Sequence, residues 1–148
     1  MRRVPPLLED FARRLLLHEA GGRQRSEDFA DAMIRACQAL HVRLTPLLSA
    51  AGVNALLGRA ITLAAREFPI LAELSAIRAP DCSLNGLQEA LDKDDPSGAA
   101  DAVVAILGNF LWLLVDFIGE NLGLRKVHEA WPGVPFILPK ASPDKAPS

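Results

Sequence analysis

Cys37 and His41 stand four residues apart in the stretch SEDFADAMIRACQALHVRL, a spacing that puts a thiol and an imidazole on one side of a helix. Such a pair could act as a thiolate with its base, or supply two corners of a metal site. A structural metal takes about four ligands. His18, Cys82 and His128 are left to complete the set, at no characteristic spacing. Cys37 also falls on an apolar stripe with Met33 and Leu40, where a thiol behaves as a small hydrophobe. No GxSxG segment is present and no serine sits at a strand-to-helix elbow, so acyl transfer lacks its nucleophile. The residues predict no enzyme, no metal and no cofactor.

A second set is polar. Arg59 and Arg66 are seven residues apart with Thr62 between them, and so are Asn109 and Asp116, with Glu120 one turn further on. Seven helical residues return to within about 20° of the starting direction, so each set forms one stripe if its helix is unbroken. Two readings stay open. The stripe Asn109, Asp116 and Glu120 is either the water-facing edge of its helix or one half of a polar seam with Arg59 and Arg66. Such a seam would lie between helix 53–68 and helix 97–131 and could admit an anionic ligand.

The elements that would position these residues are helices. Pro5 and Pro6 can open one and Gly21-Gly22 can close it, giving roughly residues 6 to 20. Ser26, followed by Glu27 and Asp28, starts a second helix to about Leu44, with Phe29, Met33, Ala36, Cys37, Leu40 and Leu44 on one stripe. Thr45-Pro46 either kinks that helix or caps a short one through Ala51. VNALLGRAITLAAREF gives a third, with Val53, Leu56, Leu57, Ala60, Ile61, Ala64 and Phe68 on one face. Short helices are expected over 70–81 and after Ser83. A long final helix, 97–131, stops at Pro132-Gly133. The expected fold is one all-α domain over residues 1–138: a bundle of four main helices plus short ones, with the long C-terminal helix at its centre. Residues 139–148, rich in Pro, Ser and Lys, read as a flexible tail.

Composition agrees. Of the 148 residues half are apolar and none is Tyr, which favours helix over strand. Sixteen basic residues against eighteen acidic ones leave no broad positive field, so no nucleic-acid partner is expected. Two cysteines without a framework suit a reducing, cytoplasmic setting. The N-terminal MRRVPPLLEDFARRLLLHEAGG is interrupted by Glu9, Asp10, Arg13 and Arg14, and reads as a helix and not a signal peptide. The run Ala102 to Ile118 falls short of the ~20 apolar residues a span requires. It also carries Asp116, which costs roughly 2.5 to 3.5 kcal/mol at bilayer depth, so no membrane is expected.

The long helix is apolar on two faces, and each needs cover. The expectation is a homodimer sharing part of it, with Phe110, Trp112, Phe117 and Trp131 as interface anchors or, equally, core residues; the alternative is a central helix wholly internal to a single chain. Gly108, Gly119 and Gly123 would admit the second backbone.

Two resemblances add to this. HVRLTPLLSAAG, His41 to Gly52, resembles the signature of histidine phosphotransfer domains, which implies a helical bundle with His41 as phosphoacceptor. It departs from that pattern in the exchanged order of Arg43 and Leu44 and in Thr45-Pro46, where the family carries a lysine-glycine pair. VNALLGRAITLAAREFPIL with LLVDFIGENLGLRKVHEAWP resembles segments of small all-helical bacterial proteins, through Arg66 to Pro69, Ile118-Gly119-Glu120 and Glu129 to Pro132. That likeness implies a bacterial cytoplasmic bundle and brings no established activity. The reading is a non-enzymatic interaction or regulatory module, self-associating, with a possible protein partner in signalling. The alternatives are a sensor of small anions and a histidine phosphotransfer protein.

Overall fold

A computed structural model describes residues 4–22, 26–71 and 96–134. The expected short helices over 70–81 and after Ser83, Cys82, and the tail 139–148 lie wholly or almost wholly outside these. The described residues are all-α, with no strand among them: α1 (Pro6–Glu19), α2 (Ser26–Glu67), a 3-10 turn (Pro69–Leu71), α3 (Pro96–Ile118) and α4 (Glu120–Ala130).

α1 follows its punctuation. Pro6 occupies the first turn, where a missing N–H costs no bond, and the amides of Leu8 and Glu9 donate to the Pro5 carbonyl at 3.0 Å. At the other end Gly21 (φ +67°) and Gly22 (φ +86°) turn left-handed. Their amides return to the carbonyls of His18 and Leu17 at 3.2 and 2.9 Å, which closes the last turn.

α2 is longer than expected because Pro46 does not end it. Thr45 Oγ1 donates to the His41 carbonyl at 2.6 Å, reinforcing the turn that the proline weakens. The break comes three residues later at Ser49, whose φ of 66° and ψ of 162° are non-helical. Its Oγ accepts from the Gly52 amide at 3.2 Å, so Ser49 caps the second half of α2. That half therefore starts at residue 50, ahead of the expected 53.

The final helix is two. Gly119, at φ +96°, sits in a region open to glycine and strained for other residues. Its amide donates to the Val115 carbonyl, closing α3, and its carbonyl accepts from the Gly123 amide, starting α4, both at 2.9 Å. α4 then folds back until a Cβ on Gly123 would lie 3.5 Å from the Val115 Cα.

α3 is central as expected. It packs most extensively on α2, and also against α1 and α4. α1 runs opposite to it: Arg13 reaches Asp101 at 2.9 Å while Val4 and Glu9 lie over Gly108. Of the stripes expected on α2, Phe29, Met33, Ala36, Cys37, Leu40 and Leu44 are buried, as are Val53, Leu57, Ala60, Ile61 and Ala64, while Leu56 and Phe68 are half-buried against the core.

The cover expected from a second copy comes largely from the chain itself. Val103, Val104, Ile106, Leu107, Phe110, Leu111 and Leu114 are all buried within one chain. Gly108 and Gly123 face the chain's own α1 and α3. Both α2 (Asp28–Glu67) and α3 (Ala100–Ile118) are long and apolar enough to cross a membrane by length and composition, with mean hydropathy 1.5 and 1.9. The most apolar stretch of α3 is 56% buried and that of α2 only 28%.

Candidate functional site

The polar stripe expected on the long helix is divided by the break at Gly119. Asn109 and Asp116 remain on α3, while Glu120 opens α4, where a carboxylate suits the positive end of the dipole. Asp116 and Glu120 are exposed. Asn109 is half-buried and donates Nδ2 to the Ala105 carbonyl one turn back, at 2.8 Å. Arg59 and Arg66 are exposed on α2. Ion pairs among the described residues include Arg13 with Asp101, Arg14 with Asp10, Arg35 with Glu19, and Glu129 with both Arg43 and Lys126.

A hollow does exist between the second half of α2 and α3, closed by the start of α1. It holds about 30 Å³, room for a water-sized group, and its polar lining is Glu9, Glu67 and Asn109. Two carboxylates at its mouth repel an anion, so this hollow does not have the charge the sensor reading requires. Arg59 and Arg66 are not part of it.

His41 is half-buried. Its Nδ1 lies 3.3 Å from Thr45 Oγ1, and its Nε2 is shut off from solvent without a hydrogen-bond partner among the described residues. The Thr45 hydroxyl proton goes to the His41 carbonyl, which leaves Oγ1 as an acceptor towards Nδ1. Cys37, one turn before, is buried. Among the described residues no three of His, Cys, Asp and Glu converge as metal ligands do.

The four aromatic anchors separate. Phe110 and Trp131 are core residues, each 3% exposed. Trp112 is half-buried and packs on the core, and Phe117 stands 68% exposed beside the Gly119 turn. Other large apolar side chains in the open are Val42 and Leu47 on α2 and Leu7 on α1. The second half of α2 adds a side of small residues. Ala51, Ala55, Gly58 and Thr62 are all exposed, and their spacing of four, three and four places them on one helical face. Thr62 Oγ1 donates to the Gly58 carbonyl at 3.0 Å, so its polar group is satisfied within the helix and its methyl is free to make contacts. Arg59 and Arg66 border this face.

One polar constellation escaped the sequence reading. Trp131 Nε1 donates to Glu19 Oε2 at 2.7 Å. Arg35 meets Glu19 twice, through Nε to Oε1 at 3.3 Å and through its terminal nitrogen to the backbone carbonyl at 2.6 Å. The signal was there in principle: Glu19 is a carboxylate in the last turn of α1, at the negative end of the dipole, and requires compensation. Which cation and which donor supply it depends on contacts 16 and 112 residues away in the chain.

Comparison of the chain with protein-family models, with curated proteins and with solved structures found no match.

Proposed function

We propose that the chain is a non-enzymatic helical interaction module that associates with a second copy of itself through the outward side of α2. The observation that carries this reading is the imbalance within α2: its most apolar stretch is only 28% buried, although helices that apolar are ordinarily covered. The uncovered side is built for close contact. Ala51, Ala55 and Gly58 let another helix approach, Leu47 and Val42 supply apolar area, and Arg59 and Arg66 form a charged border of the kind that rims an interface. A twofold pairing uses one patch twice and needs no second partner.

The expectation of shared α3 surface is thereby moved to α2, since α3 is covered from within. The same bare side of α2 could instead meet lipid, and the cytoplasmic, membrane-free setting is part of the proposal. Light scattering coupled to gel filtration, together with flotation on neutral and anionic vesicles, separates the two. The expected result is twice the 16.0 kDa chain mass at high concentration, falling on dilution, with no flotation. Flotation with a single-chain mass would replace the dimer by a membrane surface. A single-chain mass at every concentration with no flotation would refute the reading.

A further inference from the structure

α4 is held at its two ends and lightly between them. At its start Gly119 is exposed, and among the described residues nothing lies within 4 Å of the place a Cβ would take. At φ +96° that turn has a backbone freedom that glycine alone supplies readily. Along the helix only Gly123 and Val127 are buried. The links from Glu129 to Arg43 at 3.9 Å and to Lys126 at 3.5 Å join side chains that are 24 to 47% exposed, where such pairs contribute little. The far end is different. Trp131 is 3% exposed and is bound to a carboxylate that Arg35 holds from the other side, with Glu19 itself 21% exposed. A hydrogen bond to an ionised acceptor is about twice as strong as a neutral one.

We propose that α4 is a strap, hinged at Gly119 and latched by Trp131, Glu19 and Arg35, that opens as a unit while α1, α2 and α3 stay packed. Few buried residues, a free glycine hinge and one strong contact at the far end are the properties of a segment whose local opening precedes global unfolding. Opening lifts Gly123 from Val115 and uncovers that apolar stretch of α3. The device uses none of the side chains of the α2 face, because its latch is Glu19, Arg35 and Trp131.

Hydrogen exchange on the full chain, read by mass spectrometry, tests this. In the unmodified chain the amides of 120–131 are expected to exchange faster than those of 102–114. Trp131→Phe keeps a buried ring and removes the donor, while Glu19→Ala removes the acceptor and leaves the ring. Losing a charge-assisted bond corresponds to about tenfold or more in the opening equilibrium, so 120–131 should exchange faster by that factor with 102–114 unchanged. Selective acceleration in either variant supports the strap. Equal protection of the two helices in the unmodified chain, or selective acceleration in neither variant, would overturn it.

Discussion

α3 and the second half of α2 are both apolar, yet the chain treats them differently. α3 has a mean hydropathy of 1.9 over its most apolar stretch and buries 56% of it; α2 has 1.5 and buries 28%. The difference lies in side-chain size and placement. α3 carries Val103, Val104, Ile106, Leu107, Phe110, Leu111 and Leu114 on several sides, and α1, α2 and α4 cover all of them. α2 points Val53, Leu57, Ile61 and Ala64 inward and leaves Ala51, Ala55, Gly58 and Thr62 outside. Apolar content alone does not say where a core is. The volume of the side chains and the number of neighbours around the helix decide it.

That contrast can be broken at three levels. Leu111 on α3 is 1% exposed, so Leu111→Ala should cost about 2 to 5 kcal/mol in urea unfolding, the usual range for a buried leucine that leaves a cavity. A cost near zero would mean that α3 is not the covered helix. A gain of about 1 kcal/mol is expected from Ser49→Gly. The φ of 66° and ψ of 162° at Ser49 lie where side chains are strained by roughly 1 to 3 kcal/mol, and a glycine cap loses only a few tenths relative to serine. A raised Tm at unchanged helical content checks it, and a lowered Tm would show that the cap outweighs the strain. Leu47→Ala, at a side chain 43% exposed, should shift unfolding by less than about 0.5 kcal/mol when the protein is dilute enough to be a single chain. A loss as large as that of Leu111→Ala would erase the contrast between the helices.

The helices are legible in the sequence and their interruptions less so. α1 can be read from Pro5-Pro6 and Gly21-Gly22, because those residues act locally. The strongest breaker in α2 is Thr45-Pro46, but a proline removes one bond and Thr45 restores support at the His41 carbonyl. The chain breaks instead at Ser49, whose hydroxyl can cap the second half of the helix. At Gly119 the apolar period runs on through Leu122 and Leu124, hiding a turn that glycine permits and Glu120 favours. Because the chain breaks there, Glu120 belongs to a different helix from Asn109 and Asp116, and one unbroken helix does not carry all three. Trp131 differs from its expected role for a related reason: its position at the end of α4 brings it to Glu19 on α1, a contact that no local pattern specifies.

The proposed pairing turns on the bare side of α2, and Ala55→Arg tests it most directly. Light scattering would be run on this variant beside the unmodified chain at matched concentrations, with circular dichroism to verify the fold. The prediction is a single-chain mass for the variant where the unmodified chain is twice that, at unchanged helical content, because Ala55 is exposed and a long charged side chain there would keep a partner helix away. A variant that keeps the doubled mass would contradict the claim and move the contact surface off α2.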